Sequence, residues 1–364
     1  MKILFCIDSM TKGGAERVIS NLANMFVNEA NSEVYILTLL KGDSAYQLND
    51  KIHFDSLKIK EGKKNILEKI FSVLKNTKSM RKYIKRNSID VVISFLPRAS
   101  WYSAIATRGI NTKLIISERN DPASIYKSTF QRKMYRLIYN MANGVVFQTN
   151  DAKAFFSKKV QRDSVVISNP VNDIFFDCKN VKERKKTIVN VGRLSEQKNH
   201  KLLINAFADF SSKYPDYKLI IYGEGPLRNE LEKQIADLKL NNKILLPGIV
   251  DNIKDKIYDS SMFVFTSDYE GMPNSLMEAM TLGIPCISTD CPCGGPREII
   301  DDGINGILVP VNDKDMIVAS MKKIIEDDLL DSFSENAKKK MKDYKIDIIN
   351  KKWKEYIDFI IGRK

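Results

Sequence analysis

Short apolar runs alternate with longer amphipathic stretches along the whole chain, and no other feature of the sequence limits the fold as strongly. Strand-length runs separated by helix-length stretches are typical of β-α units stacked around a parallel sheet. We therefore predict an α/β protein with two doubly wound parallel sheets, because the runs form two sets. The first set is KILFCI (2–7), EVYILTLL (33–40), DVVISFL (90–96), KLIISE (113–118), NGVVFQT (143–149) and SVVISN (164–169), and the second is TIVNVG (187–192), YKLIIYG (217–223), KILLPG (243–248), MFVFTS (262–267), PCIST (285–289) and NGILVP (305–310).

An irregular segment separates the two sets of strands. Residues 169–186 lack clean periodicity, contain Pro170 and become charged, so we interpret them as the linker between two domains, 1–170 and 171–346. A chain of 364 residues is long enough for two such domains. Residues 347–364 have apolar positions at helical spacing and no strand after them. We expect this helix to pack back on the first domain; the alternative is a helix that caps its own domain.

The composition is that of a globular protein, 43% hydrophobic and 28% charged, and no apolar run reaches the ~18–20 residues that span a bilayer. The N-terminus begins with a strand pattern rather than a signal peptide, so we expect a cytoplasmic protein. The odd number of cysteines, five, fits a reducing compartment, and CPC (291–293) has no partner pair at zinc spacing. We therefore predict no metal site. The presence of only two histidines, His53 and His200, argues against a histidine-based triad.

The net charge of +13 is concentrated in the first half of the chain. Residues 1–170 contain 28 Lys and Arg against 14 Asp and Glu, a net of +14, whereas the remainder contains 30 against 31, a net of −1. This asymmetry predicts that the first domain faces an anionic partner, such as a nucleic acid, a phosphorylated substrate or an acidic membrane leaflet.

Loops that follow predicted strands carry residues suited to phosphate. Ligands bind at the carboxyl ends of strands in open parallel sheets. Gly13 and Gly14 permit a tight turn at a helix start, although glycines there are often turn formers alone. Arg193 and Lys198 offer a bidentate donor and an ammonium to a diphosphate; the alternative is a solvated charged loop. Gly223 in the next loop lets a ligand approach closely.

The segment EGMPNSLMEAM (270–280) places two glutamates eight positions apart around a predicted helix start. Asn274 is a suitable N-cap for that helix. Its first turn would then leave backbone N–H groups for a phosphate, those of Ser275, Leu276 and Met277. We interpret Glu270 and Glu278 as binding groups for hydroxyls on either side of this phosphate site. The alternative is a general acid/base pair of the kind that hydrolyses glycosides.

Taken together and in this order, six segments resemble those of retaining glycosyltransferases with the GT-B fold, specifically the large bacterial family 4. They are GGAERV, SERNDP (117–122), NVGRLSEQKN, IYGEGPLRNEL, YEGMPNSLMEAMTLGIPCIST and GGPREIIDDGINGILV. The resemblance covers essentially the whole chain. It implies two Rossmann-like domains facing each other across a cleft, and metal-independent transfer of a sugar from a nucleotide-sugar in polysaccharide or lipid-linked glycan biosynthesis. No cofactor is implied, and uridine is favoured as the donor base by the habit of the family alone.

The resemblance also implies roles for individual residues. Arg193 and Lys198 would hold the donor diphosphate and stabilise it as the leaving group. Glu278 would bind the ribose hydroxyls, and Glu270 would bind those of the transferred sugar. The backbone of Gly271, Met272, Ser275 and Leu276 would line the sugar and phosphate pocket, and the Gly13–Gly14 loop would close over the phosphates from the first domain.

One position departs from the pattern of the family. Many relatives have a histidine near the sugar, at or close to the segment that is SERND in this chain. The residues here are Glu118, Arg119 and Asn120. We expect Arg119 or Asn120 to supply a basic or hydrogen-bonding group at this place in the acceptor domain.

Residues 57–86 are strongly basic, with eleven Lys and Arg against two Glu. Apolar residues recur among them at helical spacing: Ile66, Leu67, Ile70, Phe71 and Leu74. Such a helix can lie on an anionic leaflet, where each basic residue contributes roughly 1 kcal/mol. The alternative is a crossover helix that packs its apolar side on its own sheet. A lipid-diphosphate-linked acceptor at the inner face of the cell membrane would explain the charge.

Three other functions are weighed against sugar transfer. A nucleotide-sugar epimerase of the same shape needs acid/base groups on both faces of the sugar, and the scarcity of histidine disfavours it. The pI of about 9.3 fits a nucleic-acid-binding protein, but such a protein requires a basic patch with interleaved aromatics. The strand-end phosphate loops favour a small ligand instead, and we predict no nucleic-acid partner. A two-lobed solute-binding protein would be expected to have a signal peptide.

Overall fold

The computed structural model describes residues 1–11, 13–59, 62, 65–177, 181 and 183–363, apart from the side chains of residues 66, 67, 69 and 70. The chain divides into two compact units. Unit 1 comprises Met1–Pro170 and Ile346–Lys364, and unit 2 comprises Val171–Lys345.

Parallel strands and connecting helices make up both units. The strands are β1 (Lys2–Ile7), β2 (Glu33–Thr38), β3 (His53–Ser56), β4 (Val91–Phe95), β5 (Lys113–Ser117), β6 (Gly144–Phe147), β7 (Ser164–Val166), β8 (Lys185–Val191), β9 (Lys218–Tyr222), β10 (Ile244–Gly248), β11 (Ser260–Phe265), β12 (Cys286–Thr289) and β13 (Ile307–Val309). The α-helices are α1 (Gly14–Phe26), α2 (Ile66–Arg86), α3 (Pro97–Thr107), α4 (Pro122–Ile125), α5 (Thr129–Asn140), α6 (Asn150–Ala154), α7 (Lys158–Arg162), α8 (His200–Lys213), α9 (Arg228–Asp237), α10 (Ile253–Ile257), α11 (Asn274–Thr281), α12 (Gly295–Ile299), α13 (Lys314–Glu326), α14 (Leu330–Met341) and α15 (Ile346–Gly362).

Each unit contains one parallel sheet. Strand order is β3-β2-β1-β4-β5-β6-β7 in unit 1 and β10-β9-β8-β11-β12-β13 in unit 2. The predicted runs all form strands, so the prediction of two doubly wound sheets is confirmed. Strand β3 was not predicted, because its sequence HFDS is short and contains a single large aliphatic or phenyl side chain. In both sheets the strand order reverses beside the first strand of the unit, which is β1 in unit 1 and β8 in unit 2. Open α/β sheets bind ligands at such a point.

The helices of unit 1 cover both faces of its sheet. Helix α1 packs with α15, whereas α3 packs with both α2 and α5. The crossovers from β1 to β2 and from β4 to β5 run in opposite directions along the sheet. Because such crossovers are right-handed, they place α1 and α3 on opposite faces. Helices α2, α3 and α5 therefore form one layer, with α3 in the middle.

The last helix, α15, belongs to the core of unit 1. Trp353, Ile357 and Ile360 are fully buried there. The Trp353 ring stacks on that of Phe95, with centroids 6.0 Å apart. The hydroxyl of Tyr356 accepts a hydrogen bond from the Val145 N–H at 2.9 Å. The C-terminal helix thus packs on the first sheet rather than capping unit 2.

Candidate active site

Glycines let the strand-end loops of unit 2 pack backbone against backbone. Gly223 has a φ of 140°, and a Cβ atom there would lie 2.0 Å from the carbonyl oxygen of Gly192. A Cβ atom on Gly225 would lie 2.2 Å from the carbonyl oxygen of Leu194. Only glycine tolerates such approaches. The β9 loop thus supports the β8 loop that carries Arg193.

The loop after β8 is also bonded to the loop after β11. Asn199 adopts a left-handed conformation with a φ of 47° and donates from its amide to the Asp268 carboxylate at 2.9 Å. The Asp268 N–H donates to the Gln197 carbonyl oxygen at 2.9 Å. These bonds hold Lys198, which lies between Gln197 and Asn199, beside the β11 loop.

Lys198 and Glu270 form an ion pair in this site. Lys198 Nζ lies 2.6 Å from Oε1 of Glu270, and the two side chains are 18% and 14% exposed. The same oxygen accepts a hydrogen bond from Gln197 Nε2 at 3.1 Å. The ammonium also lies 4.8 Å from the centroid of the Phe265 ring. No residue in the described ranges donates to Oε2 of Glu270, because the protein contacts of this carboxylate are all on Oε1.

The segment CPC braces the backbone of Glu270. The Glu270 N–H donates to the Pro292 carbonyl oxygen at 2.6 Å, and the Glu270 carbonyl accepts from the Cys293 N–H at 3.0 Å. A Cβ atom on Gly295 would lie 1.7 Å from the carbonyl oxygen of Gly271. The segment therefore supports the loop that presents the Glu270 carboxylate.

The cysteines of this region are buried thiols. Cys286, Cys291 and Cys293 are all less than one-twentieth exposed. Burial raises the pKa of the Cys291 thiol to about 12, which keeps it protonated at neutral pH. Within the described ranges, no three His, Cys, Asp or Glu side chains are grouped so as to hold a metal ion.

Helix α11 begins one residue earlier than the sequence predicted. Pro273 is the N-cap and Asn274 is the first helical residue, so the prediction that Asn274 caps the helix is wrong. The Pro273 carbonyl accepts the first helical hydrogen bond, from the Met277 N–H at 3.1 Å, which defines the cap position. Met277 is therefore not available to a ligand. The N–H groups of Ser275 and Leu276 meet no acceptor in the described part of the chain.

Both glutamates of the segment 270–280 border the start of α11 along the chain. Glu270 lies in the loop before the helix, and half-buried Glu278 is its fifth residue. Met272, between them, is 5% exposed. A helix N-terminus favours an anion, because its N–H groups and its dipole both point outward.

Arg193 is the exposed cation of the site. It lies two residues beyond β8, and its guanidinium makes no hydrogen bond or ion pair with any described residue. The group is thus available to an anionic ligand at the carboxyl edge of the sheet.

The Gly13–Gly14 turn lies in unit 1, at the start of α1. The Gly13 N–H donates to the Tyr46 hydroxyl at 3.0 Å, and this hydroxyl donates to the Gly13 carbonyl at 2.7 Å. A Cβ atom on Gly13 would lie 2.3 Å from Oε2 of Glu16. Burial raises the pKa of this Glu16 carboxyl. The first turn of α1 thus holds a carboxylate at the place where the sequence predicted a phosphate.

Glu118, also in unit 1, is buried and only 2% exposed. Its Oε2 accepts hydrogen bonds from Tyr126 at 2.9 Å and Tyr139 at 2.5 Å. Its Oε1 accepts from the N–H groups of Arg119 and Asn120, at 3.0 and 3.1 Å. Burial raises the pKa of the Glu118 carboxyl, and these bonds oppose the increase. Both oxygens are used to hold the loop after β5.

Arg119 is buried as well, at 9% exposed. Its guanidinium carbon lies 5.0 Å from the centroid of Phe95 and 5.4 Å from that of Trp353, and its Nη1 donates to Asn169 at 2.9 Å. Burial lowers its pKa to about 9. Of the three residues predicted at this place, Asn120 is the least buried.

Two polar residues of the site were not predicted, Gln197 and Asp268. Gln197 donates to the Tyr269 carbonyl at 2.9 Å as well as to Glu270. Both residues are next to or near predicted site residues in the sequence, which is a signal that could have suggested them. Their pairing across two loops depends on the tertiary structure.

Comparison with known proteins agrees with this fold. Residues 172–340 match the family model described as glycosyl transferases group 1, and residues 12–174 match that of glycosyltransferase family 4. A Campylobacter jejuni protein, named GalNAc-alpha-(1->4)-GalNAc-alpha-(1->3)-diNAcBac-PP-undecaprenol alpha-1,4-N-acetyl-D-galactosaminyltransferase, is 30% identical over 362 residues, 98% of each chain. The UDP-Gal:alpha-D-GlcNAc-diphosphoundecaprenol alpha-1,3-galactosyltransferase of Escherichia coli is 25% identical over 74% of each chain. The structure of Anabaena HepE in complex with UDP has a TM-score of 0.80 and 19% identity, and the match covers 99% of this chain and 100% of that one.

The two Rossmann-like units have the GT-B fold of glycosyltransferases. The chain belongs to glycosyltransferase family 4. The resemblance found in the sequence motifs is thereby confirmed, and the protein is an enzyme that transfers sugars. No helix in the described ranges is long and apolar enough to cross a membrane.

Proposed function

We propose that the protein transfers a sugar from a UDP-sugar, with retention of anomeric configuration, to a lipid-linked diphosphate acceptor in the synthesis of a surface polysaccharide such as a capsule or O-antigen. The contact between Lys198 and Glu270 beside the start of α11 carries this proposal. The C. jejuni and E. coli relatives are named for undecaprenol-linked diphosphate substrates, and the E. coli name includes UDP-Gal. These names support the choice of donor and acceptor.

Each donor part has a proposed partner in unit 2. The diphosphate binds Arg193, Lys198 and the backbone N–H groups at the start of α11, which supply positive charge to the leaving group. The transferred sugar donates a hydroxyl hydrogen bond to Oε2 of Glu270, because Oε1 is already held by the protein. The ribose hydroxyls bind Glu278. The two glutamates thus act as binding groups rather than as a hydrolytic acid/base pair.

Release of UDP tests this proposal. The purified enzyme is incubated with a panel of UDP-sugars and GDP-sugars and with undecaprenyl-diphosphate-linked acceptors, and the anomeric configuration of the product is assigned by NMR. We expect UDP release that depends on the acceptor, and a product with the configuration of the donor. Release of GDP alone would contradict the donor, release without acceptor would indicate hydrolysis, and an inverted product would contradict retention.

We also propose that α2 holds the enzyme on the inner face of the cell membrane. Met80 and Ile84 on one side of α2 are fully buried, whereas Phe71 and Leu74 are 71% and 65% exposed. Exposed lysines continue the same outer side: Lys75, Lys78, Lys82 and Lys85. The helix therefore packs on its own sheet, as expected of a crossover helix. It still presents a stripe of apolar and basic side chains to solvent. The side chains of Ile66, Leu67 and Ile70 lie outside the described residues.

Vesicle flotation tests this location. Wild-type enzyme should float with vesicles that contain phosphatidylglycerol and not with phosphatidylcholine alone. The double variant Phe71→Ser, Leu74→Ser removes the exposed apolar pair and should float less. Ile304→Ser is the control, because it changes an apolar side chain of unit 2 that is 58% exposed. Equal flotation of both variants and wild type would contradict the role of α2.

A further inference from the structure

Helix α5 has an apolar surface of its own on the side away from its buried residues. Ile138 and Tyr139 are buried, whereas Phe130 and Leu137 are 70% and 66% exposed. Residues seven positions apart lie on the same side of an α-helix. Two large apolar side chains are thus presented to solvent by a helix that already packs on the core.

A cavity of about 680 Å³ lies at one end of this stripe. Leu137 and Met141 contribute apolar wall, and Arg108 and Lys113 contribute basic groups. Among the described residues, no Asp or Glu lines the cavity. It lies beside the start of β5, at the amino edge of the sheet and away from the carboxyl edge where the strand-end loops lie. The cavity is therefore distinct from the substrate loops of this unit.

Neighbouring contacts hold the basic rim of the cavity in place. Arg81 of α2 donates to the carbonyl oxygens of Ala106 and Arg108, at 3.1 and 2.6 Å. Lys113 Nζ donates one hydrogen bond, to the Arg363 carbonyl oxygen at 2.7 Å. An ammonium has two further donors, so Lys113 can still bind an anion.

The stretch of sequence that contains α5 is basic. From Pro122 to Asn150 the sequence contains four Lys and Arg and no Asp or Glu. Lys133 and Arg136 are both exposed on α5. The same layer of helices contains α2, so the α5 stripe and the α2 stripe emerge on the same side of the sheet. This surface combines a positive field with exposed apolar groups, which together favour an anionic amphiphile.

We propose that the cavity and the α5 stripe bind an acidic phospholipid of the membrane. The phosphate of its head group binds Arg108 and Lys113, and an acyl chain lies along Leu137 and Phe130. A free phosphate would not use the apolar stripe, which is why we assign the site to a lipid. This proposal depends on the proposed function in one respect, namely that the enzyme lies at the membrane. It adds a second contact to that of α2 and so fixes the orientation of unit 1 on the bilayer.

Vesicle binding of three single variants tests the site. We expect Leu137→Glu to weaken binding to vesicles of phosphatidylcholine with phosphatidylglycerol at least tenfold, because it inserts a charge into the apolar contact. Arg108→Ser should weaken it about fivefold, and the loss should disappear at high salt. Ile304→Glu places the same new charge on an exposed apolar position of unit 2 and should leave binding unchanged.

Two further measurements separate this site from its alternatives. UDP release with a short-chain, water-soluble acceptor should be the same for all three variants and wild type, so a failure of sugar transfer is visible independently of lipid binding. Glycerol phosphate is added as a competitor and should not displace the enzyme from the vesicles. Displacement by glycerol phosphate would show a free-phosphate site, and equal vesicle binding by Leu137→Glu and wild type would overturn the proposal.

Discussion

The ammonium of Lys198 lies 2.6 Å from Oε1 of Glu270, and both side chains are less than one-fifth exposed. The sequence motifs assigned these residues to different parts of the donor, the diphosphate and the sugar. These two parts are joined at the bond that breaks during transfer. The ion pair would therefore span that bond, with one residue on the leaving group and the other on the sugar.

Replacement of Glu270 separates transfer from nucleotide binding. We expect Glu270→Ala to lower kcat about 10²–10³-fold, a loss of the size seen when one transition-state contact is removed. UDP affinity, measured by calorimetry, should change little, because the proposed UDP contacts are on Arg193, Lys198, α11 and Glu278 rather than on Glu270. Unchanged turnover in this variant would refute the role of Glu270.

Gln197 is expected to position Glu270. Its amide donates to Oε1 of Glu270 at 3.1 Å, so Gln197→Leu removes one of the contacts that orient this carboxylate and leaves the ion pair with Lys198. A lost hydrogen bond to a charged group predicts a decrease in kcat of about tenfold, with little change in the KM for the donor. Gln234→Leu is the matched control, since this amide also makes two hydrogen bonds but lies on α9. Equal kinetic effects of the two substitutions would show a general loss of stability instead.

Gly223 is expected to tolerate no side chain. A Cβ atom would lie 2.0 Å from the Gly192 carbonyl oxygen, and the φ of 140° is unfavourable for other residues. Gly223→Ala should lower the thermal midpoint of unfolding by several degrees, corresponding to about 2 kcal/mol or more, and should weaken UDP binding. Gly303→Ala provides the control, because it also has a positive φ but open space around the new methyl group. A similar decrease in the thermal midpoint of both variants would assign the effect to backbone strain alone.

Stability should fall at mildly acidic pH because of His200. This residue is 1% exposed, its Nε2 is 2.9 Å from Asn190 Oδ1, and burial lowers its pKa from 6.5 to about 4. Between these values the unfolded state binds more protons than the folded state, so the free energy of unfolding decreases as the pH falls. The full effect is about 3 kcal/mol at 1.36 kcal/mol per pKa unit.

Urea denaturation at several pH values between 4 and 7.5 measures this contribution of His200. The variant His200→Asn keeps a polar side chain without a titrating group, and its stability should depend less on pH over this range. The same pH dependence in both proteins would assign the acid sensitivity to other groups.

Local sequence patterns were sufficient to predict the two sheets and to indicate the candidate site residues. Apolar runs of strand length predict buried parallel strands, because both faces of such strands are covered. The rule that ligands bind at the ends of these strands then indicated Arg193, Lys198 and Glu270. The N-cap of α11 was predicted one residue late, since the side chain of Asn274 favours a cap but the carbonyl of Pro273 accepts the first helical bond.

The sequence by itself therefore determined the features that depend on neighbours along the chain. These are the positions of the strands, the apolar stripes of the helices and the composition of the loops. Only the tertiary structure decided which side chains meet. Lys198 and Glu270 are 72 positions apart, and their contact depends on two loops being held together by Gln197, Asn199 and Asp268. Arg119 was predicted as a site residue, but Phe95 and Trp353, from distant segments, enclose its guanidinium. Such contacts depend on how distant elements pack, and the periodicity of a sequence does not record that packing.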